Sequence, residues 1–420
     1  MNNDSRYIFI LGSMPALSLA ELHFLSDHAA VQMQYQAWNN TFALVDTPMT
    51  RAEHLALSAR LGGMVKIAQV FREAPSLSPV LILSALPRSG FKIYFGVSVY
   101  DLSHRHRVES AARKLGIEVK RLLKKEEIPS RLVTSRGTTL SSVIVRTNKL
   151  LTERGAEILV VALNKERYVY GKTFYAQPYE SFALRDIGRP RRDMRSGMLP
   201  PKLARMMINI ATGYHVDNAE LLDPFCGSGT VLQEAVLLGV PRICGSDRDS
   251  EAIQHTSENL QWLVSRAPWQ SLSSVHPRVL AGDARAVHEI FRHERFSAIV
   301  TEPYLGPPRS RSLRDVEIEA LREELSSLYI EALTSCAVLL RPGGRVVIVW
   351  PFWRTQSGSF AFIELIQECA RLGLRAVAPL PSALQSSFDV EEGYHPSRRS
   401  LLYYREGQTV MREIRIFEKA

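Results

Sequence analysis

The second half of the chain alternates short apolar runs with longer amphipathic ones. The short runs, set off by glycines and charged residues, predict strands, and the longer runs show the spacing of helices. The predicted strands cover residues 221–222, 243–247, 279–283, 296–300, 345–350, 401–404 and 411–417. The main predicted helices are 201–211, 230–238, 317–340 and 360–372. This alternation, closed by an antiparallel hairpin, indicates a mixed, seven-stranded, doubly wound α/β sheet.

The first 75 residues follow a different order. Strands are predicted at 6–11 and 65–71, a hairpin at 35–45, and helices at 18–26, with Ser18 as N-cap, and at 51–61. Strand, helix, strand, strand, helix, strand is the order of a ferredoxin-like unit. No cluster of catalytic residue types occurs here, so these residues are predicted to form a platform.

From Ser76 the pattern changes again. The predicted elements are helices at 80–86 and 108–125, a strand at 92–100, and β-rich runs at 141–147 and 158–163. Apolar residues of the long helix recur at helical spacing and leave its basic residues on the opposite face. This helix should have one buried and one cationic side.

A glycine turn between a strand and a helix is the clearest chemical signal. Residues 219–230 read Ala-Glu-Leu-Leu-Asp-Pro-Phe-Cys-Gly-Ser-Gly-Thr, with Gly227 and Gly229 in the turn. Such a turn lets backbone approach a ligand and points helix N–H groups at it. No lysine follows the glycines, as a triphosphate loop requires, and Leu232 stands where a dinucleotide motif has its third glycine.

Three predicted strands end in a carboxylate, at Asp223, Asp247 and Asp283. Doubly wound sheets bind ligands at the carboxyl ends of their strands. Asp223 could instead cap its turn and Asp283 could form an Asx turn. Taken together, the three acids suit a ligand with an ammonium group, a ribose diol and an adenine amino group. S-Adenosylmethionine has all three.

The fourth strand of this sheet leads into the loop Thr301 to Gly306. Glu302 can accept hydrogen bonds from an exocyclic amine, Pro303 fixes the loop, and Tyr304 can stack on a base. The amine is a poor nucleophile because its lone pair is delocalised into the ring, and acceptors on its N–H groups favour the nitrogen geometry that attacks. We therefore predict Glu302, Pro303 and Tyr304 as catalytic residues.

The 420 residues carry a net charge of +9, which is unevenly spread. Residues 103–149 contain twelve Lys or Arg against four Glu, and residues 181–205 contain seven against two acids. Two adjacent basic segments favour a nucleic-acid partner over a merely solvated surface. The predicted RNA-binding residues are Lys114, Lys120, Arg121, Lys124, Lys125, Arg185, Arg189, Arg191 and Arg192.

Metal and membrane signals are weak. The four cysteines lack paired metal spacing, and His104 and His106 have no third ligand nearby, so no metal is predicted. The apolar run Tyr7 to Leu11 is too short for a signal peptide or a membrane span. We expect a cytoplasmic protein with its cysteines reduced.

The sequence resembles the tRNA guanosine-10 N2-methyltransferase family, which joins a THUMP region to a Rossmann-like class I methyltransferase domain. The similar segments are Leu17–Leu22, Leu61–Ala68, Tyr94–Tyr100, Arg185–Asp193, Gly197–Ala204 and Asp223–Thr230. The resemblance implies methylation of a guanosine amine in tRNA with S-adenosylmethionine. It implies a ferredoxin-like domain at 1–75, a THUMP domain at 76–177, an Arg-rich linker at 178–196 and a methyltransferase domain at 197–420.

Roles for single residues follow from the same resemblance. Asp223, Gly227 and Gly229 would hold the methionine end of the cofactor, Asp247 the ribose and Asp283 the adenine. Further residues expected beside the cofactor are Phe225, Thr230 and Ala284. Residues 1 to about 175 would grip the tRNA body, and the linker would set the reach to the base. The protein would act as a monomer or with a small activating subunit.

The chain departs from the family at the catalytic loop. The family carries Asp-Pro-Pro-Tyr or Asn-Pro-Pro-Tyr, whereas this chain reads Thr301-Glu302-Pro303-Tyr304-Leu305. Aligned from the acid, Tyr304 replaces the second proline; aligned from the tyrosine, Thr301 replaces the acid. Two alternatives therefore stay open: a DNA amino-methyltransferase, and a tRNA-binding protein without catalysis.

Overall fold

The protein is described by a computed structural model. It covers residues 5–27, 31–88, 90–102, 110–192, 198–266, 269–272, 275–307, 313–405, 408 and 410–420. The chain forms two compact units, Met1–Pro15 with His28–Ser181, and Ala16–Asp27 with Phe182–Ala420. His104 and His106, and the predicted helix start at Val108, lie outside the described residues.

Helix α1 (Pro15–Ser26) belongs to the second unit almost entirely. Asn209 Nδ2 donates to Glu21 Oε1 over 2.7 Å, and both side chains are buried. The helix starts three residues before the predicted N-cap, so Ser18 is a buried helix residue and the N-cap prediction is wrong. Sequence order had placed this helix with the N-terminal platform.

The first unit is built on one eight-stranded sheet in the order β2-β3-β1-β4-β8-β7-β5-β6. Its strands are β1 (Arg6–Leu11), β2 (Gln34–Trp38), β3 (Phe42–Asp46), β4 (Met64–Ala74), β5 (Ile93–Asp101), β6 (Ser130–Val133), β7 (Gly155–Asn164) and β8 (Arg167–Ala176). Its helices are α2 (Arg51–Arg60), α3 (Pro79–Ser84), α4 (Ala111–Lys125) and α5 (Ser142–Thr147). Strands from residues 1–75 and 76–177 thus share one sheet.

Helix α5 corrects a strand prediction for residues 141–147. The β-branched residues of this run favoured a strand. The Ser141 hydroxyl instead accepts from Ile144 N over 3.2 Å, which caps a helix at its N-terminus. The cap outweighs the weak propensity of a six-residue segment.

The second unit contains the doubly wound sheet that the sequence predicts. Its seven principal strands lie in the order β11-β10-β9-β12-β13-β18-β17, and three short strands extend it. The strands are β9 (Glu220–Asp223), β10 (Arg242–Asp247), β11 (Arg278–Ala281), β12 (Phe296–Thr301), β13 (Leu340–Arg354), β14 (Phe360–Phe362), β15 (Leu374–Ala376), β16 (Tyr394–His395), β17 (Ser400–Tyr403) and β18 (Val410–Lys419). Strands β9 to β13 pair in parallel and β18 runs antiparallel to β13, which confirms the mixed sheet.

Helices of the second unit pack on this sheet. They are α6 (Tyr179–Ile187), α7 (Pro201–Thr212), α8 (Thr230–Leu238), α9 (Ser250–Val264), α10 (Val287–Ile290), α11 (Asp315–Leu339), α12 (Ile366–Arg371) and α13 (Ser382–Gln385). Helix α6 lies where the sequence predicted a linker, and the predicted helix 360–372 is the strand β14 followed by the short α12. Within the described part of the chain, no helix is both long and apolar enough to cross a membrane.

The topology fixes where chemistry can occur. Strands β10, β9 and β12 are neighbours and run in parallel, so their carboxyl ends meet at one edge of the sheet. Asp247, Asp223 and Thr301 are the last residues of these three strands. Buried apolar side chains beneath them, among them Leu222 and Ile299, hold the edge in place.

Candidate functional site

A cavity of about 560 Å³ lies at the carboxyl ends of these strands. Ten residues predicted for the site line it: Asp223, Phe225, Gly227, Thr230, Asp247, Asp283, Ala284, Glu302, Pro303 and Tyr304. Gly229, the other predicted cofactor residue, is the N-cap of α8 and packs against the Thr256 side chain. The structure therefore brings the predicted cofactor and catalytic residues together.

Asp223 is the most perturbed acid of the cavity. Its side chain is buried, and one oxygen, Oδ1, accepts from Thr301 Oγ1 at 2.7 Å and from Phe225 N at 3.1 Å. Burial raises the pKa of Asp223 to about 7, and the nearby carboxylates of Asp247 and Glu302 add to the rise. A cation placed beside this carboxyl would hold it ionised.

The glycine turn is held by side chains from α9. Gly227 has φ +51° and its carbonyl accepts from Thr256 Oγ1 at 2.7 Å, while Asn259 Nδ2 donates to Ser228 O at 2.8 Å. Gly229 has φ +83°, and a Cβ there would lie 2.9 Å from the Thr256 side chain. Glycine at 229 is required both by its backbone angle and by this close packing.

Asp247 joins the turn to the next strand. Its Oδ2 accepts from Gly227 N and its Oδ1 from Asp249 N, each at 3.0 Å. Both bonds go to backbone, so the carboxylate is held rigidly at the cavity wall. Asp249 in turn caps α9 by accepting from Glu251 N at 2.9 Å.

Asp283 forms the Asx turn that the sequence left open. Its Oδ1 accepts from Arg285 N at 2.9 Å, and the Arg285 guanidinium also pairs with the carboxylate, with Nη2 to Oδ2 at 2.6 Å. This pairing lowers the pKa of Asp283. The acid lines the cavity as a neutralised pair, and Arg285 lies 3.8 Å from Glu331 on α11.

Glu302 is not a lone acceptor. Its carboxylate is paired with the Arg412 guanidinium of β18, which donates from Nε to Oε2 and, at 3.1 Å, from Nη2 to Oε1. Arg412 is buried, with 6% of its surface exposed. The next residues of the loop differ: Tyr304 is 42% exposed, and its carbonyl accepts from the buried Tyr329 hydroxyl at 2.6 Å.

Two arginines expected to bind RNA have a structural role instead. Arg185 is buried and pairs with the buried Glu234 at 2.5 Å, a carboxylate that also takes Arg205 at 2.7 Å. Arg189 is buried and its Nη1 donates to Thr230 Oγ1 at 2.7 Å, which ties it to the first turn of α8. Burial lowers the pKa of Arg189 to about 10. The RNA-binding prediction for these two residues is corrected because neither guanidinium is exposed.

The other basic residues are on the surface. Arg191 pairs with Glu258 and Arg192 is exposed. Helix α4 has the predicted two faces, with Leu115, Val119 and Leu123 buried. Its exposed basic residues are Arg113, Lys114, Lys120, Arg121, Lys124 and Lys125. Their contact with RNA stays a prediction.

Cys226 lies in the turn, yet its environment disfavours a thiolate. It is buried, as are the three other cysteines, and all four are free thiols. Burial raises the pKa of the Cys226 thiol well above its usual value. This fits a packing residue.

Sequence reasoning missed several residues of the cavity. They are Met198, Leu199, Arg248, Asp249, Ala252, Arg285, Glu324, Ser327, Leu328 and Glu331. Asp249 could have been found as a second acid just after the β10 aspartate. Arg412 gives no such signal, since it lies 110 positions from Glu302 and the chain has many arginines.

Comparisons with known proteins agree with this geometry. Residues 189–354 match the UPF0020 family, an RMKL-like methyltransferase domain. Over 157 residues the chain is 33% identical to a tRNA (guanine(10)-N2)-dimethyltransferase of Methanothermobacter thermautotrophicus, covering 37% of this chain and 40% of that protein. Over 138 residues it is 35% identical to the protein of the same name from Methanocaldococcus jannaschii, covering 32% and 36%. The chain thus spans well under half the length of the curated relatives it matches.

A solved structure shares the fold over nearly the whole chain. TrmN from Thermus thermophilus superimposes with a TM-score of 0.52 at 18% identity, covering 99% of this chain and 100% of that one. At this identity the likeness concerns the fold alone. The residues that line the cavity all fall between positions 198 and 331, within the segment 189–354 that matches the UPF0020 methyltransferase domain.

Proposed function

We propose that the chain is an S-adenosylmethionine-dependent methyltransferase that modifies the exocyclic amine, N2, of a guanosine in tRNA. One observation carries the proposal. Two strand-end acids, Asp223 and Asp247, a third acid, Asp283, two residues after β11, and a glycine turn line one cavity, with an acid-Pro-Tyr loop on its wall, in a segment that matches a methyltransferase domain.

The donor groups of the cavity fit this cofactor. Asp223 suits the ammonium group, because a cation would stabilise the ionised form of a carboxyl that burial disfavours. Asp247 suits the ribose hydroxyls and Asp283 the adenine end. A Cβ built on Gly227 would meet nothing within 4 Å, so the turn leaves open space beside the cavity. When bound, the cofactor supplies an electrophilic methyl group on a cationic sulfur.

The protein must place and activate the amine. The exposed ring of Tyr304 offers a face on which a base can stack. Acceptors in the loop 301–304 would accept hydrogen bonds from the amine N–H groups and so favour the pyramidal nitrogen of the transition state. Pro303 and the Tyr329 hydroxyl keep the loop backbone in place.

A tRNA substrate is supported by the names of the relatives and by the basic surface. Helix α4 presents Lys and Arg side chains on one of its faces, which suits a phosphate backbone, and Arg192 of the second unit is also exposed. Guanosine-10 rests on resemblance alone. We further propose that residues 76–177 form the THUMP domain, that the enzyme works in the cytoplasm as a monomer, and that a small subunit could activate it.

Two measurements test the proposal. Calorimetry should detect binding of S-adenosylmethionine to the purified chain. Incubation with methyl-labelled cofactor and unfractionated tRNA, followed by nucleoside mass spectrometry, should then yield N2-methylguanosine. Label in another nucleoside would show that a different base is the target. Label in DNA with none in RNA would favour a DNA amino-methyltransferase.

The Glu302–Arg412 pair favours a second candidate, a tRNA-binding protein without catalysis. A carboxylate held by a guanidinium is a weaker acceptor for an amine than a lone one. Cofactor binding with no transfer to any RNA, combined with tight tRNA binding, would support this candidate and overturn the first.

A further inference from the structure

We infer that Arg412 is a positioning residue: its ion pair with Glu302 anchors the loop at the mouth of the cavity, and Glu302 serves as that anchor and not as the acceptor for the target amine. The inference rests on the proposed function. It explains how the loop 301–304, which departs from the Asp-Pro-Pro-Tyr pattern, is held in place.

The geometry of the pair supports an anchor. Arg412 donates to both oxygens of Glu302 through Nε and Nη2, a bidentate arrangement that fixes the orientation of the carboxylate as well as its position. Glu302 keeps 13% of its side chain exposed and Arg412 keeps 7%. A buried bidentate pair is rigid, unlike a surface ion pair.

The backbone behind Arg412 is also rigid. Arg412 lies in β18, where it pairs with Pro351 of β13 on one side and with Tyr403 of β17 on the other. The guanidinium is thus fixed to the middle of the sheet. Through this guanidinium, Glu302, the first residue after β12, is tied to a strand of which no described residue lines the cavity.

Charge gives a second reason. Asp223, Asp247 and Glu302 lie close enough for the other two to raise the pKa of Asp223. The guanidinium neutralises Glu302, which limits the crowding of negative charge around Asp223. The pair therefore serves the cofactor end of the cavity as well as the loop.

Neighbouring residues complete the anchor. The Thr301 hydroxyl donates to Asp223 and the Tyr329 hydroxyl donates to the Tyr304 carbonyl. Residues 301, 302 and 304 are thus each held by a different partner. With the Glu302 side chain used in this way, we expect backbone carbonyls of the loop, and not the Glu302 carboxylate, to accept from the amine.

Exchanging the two charges distinguishes two roles of Glu302: an anchor for the loop, and an acceptor for the target amine. Glu302→Arg alone and Arg412→Glu alone should each lower kcat by about 100-fold or more, because each leaves two like charges facing. The double variant Glu302→Arg/Arg412→Glu restores a pair and should recover kcat to within about tenfold of wild type. Arginine has no acceptor, so a double variant as inactive as Glu302→Arg would overturn the inference.

A truncation cycle covers the case in which the swapped protein does not fold. If Glu302 acts through Arg412, Glu302→Ala/Arg412→Ala should be no slower than the slower single variant. Effects on kcat that multiply would show that Glu302 acts on the substrate by itself, which contradicts the inference. Thr355→Ala, in the exposed turn between β13 and β14, is the matched control and should keep wild-type rates.

The readouts distinguish failure of the inference from failure of the proposed function. Rates use labelled cofactor with unfractionated tRNA, and cofactor affinity is measured by calorimetry for every variant. A wild-type chain that neither binds nor turns over the cofactor overturns the proposed function and this inference with it. An active wild type with an inactive swap and multiplying truncations overturns only the inference. A loss of kcat with KM for tRNA little changed is expected for a positioning residue.

Discussion

Asp223→Asn should stabilise the protein while removing cofactor binding. The two hydrogen bonds that this side chain accepts from Thr301 and Phe225 end on Oδ1, so an asparagine can accept both through its carbonyl oxygen. Only Oδ2 changes, from a carboxylate oxygen to an amide nitrogen. The substitution therefore removes a buried charge with little change in packing.

The size of the gain follows from linkage. The pKa of Asp223 is raised from 3.8 to about 7, so the native state disfavours the ionised form that the unfolded chain prefers. This group costs stability as pH rises from about 4 to about 7, and the cost then stays constant. The full difference amounts to about 4 kcal/mol, so Asp223→Asn should be more stable than wild type by up to that amount at pH 8 and by little at pH 4.

The protonation state of Asp223 should also affect the binding of the cofactor. A cationic ligand requires the ionised carboxylate, so cofactor affinity of the wild type should rise about tenfold per pH unit toward pH 7 and then level off. Calorimetry in buffers of different ionisation enthalpy should detect the released proton. Asp223→Asn should bind too weakly to measure.

Urea unfolding at pH 4, 6 and 8 checks the stability argument. Asp249→Asn, an exposed acid on the same cavity wall, is the control and should not reproduce a pH-dependent gain. If Asp223→Asn is no more stable than wild type at pH 8, or if its advantage does not grow with pH, the assignment of a buried, proton-binding Asp223 is refuted.

Three further predictions concern other parts of the molecule. Asp247→Ala should weaken S-adenosylmethionine binding while tRNA affinity is kept, because it removes the proposed ribose acceptor and frees Gly227 N; unchanged calorimetry would exclude that role. Lys124→Glu with Lys125→Glu should weaken tRNA binding and flatten its salt dependence by about 0.7 to 0.9 for each phosphate that the helix no longer neutralises, and filter binding with an unchanged salt slope would remove α4 from the interface. Glu234→Gln should cost about 3–5 kcal/mol in urea unfolding, because it leaves two arginines without their shared counter-charge in the interior; a cost below about 1 kcal/mol would contradict this.

The positions of the strand-end acids and of the glycine turn were predictable because their signals are local. Asp223, the two glycines of the turn and Asp247 follow one another within a strand-turn-helix-strand segment, and their order along the chain fixes their place at the sheet edge. The main strands of the second unit were predictable for the same reason, since each is a short apolar run.

Pairing over long distances was not predictable. Arg185 and Arg189 occur in a basic segment that reads as an RNA-binding linker, but their partners Glu234 and Thr230 come 49 and 41 positions later. A buried acid can convert a surface-like arginine into a core residue, and composition does not reveal it. Arg412 and Glu302, which are 110 positions apart, also pair over a long sequence distance, at the loop 301–306.

The predictions for short elements were wrong for a different reason. The run 141–147 has β-branched residues, but a single serine cap decided its conformation. Residues 360–362 pair with the end of β13 and so became a strand where helical spacing had been expected. In such short segments, one cap or one neighbouring strand outweighs propensity.

Helix α1 has a consequence for how the molecule is made. It is synthesised before the rest of its unit, since Asn209, which binds its Glu21, comes 188 positions later. The second unit therefore lacks one of its own helices until residues 16–27 pack against the segment that begins at residue 182. A gene fragment that begins at residue 182 would express a folding unit with an apolar groove in place of that helix. Supplying residues 13–28 as a separate peptide should restore its solubility.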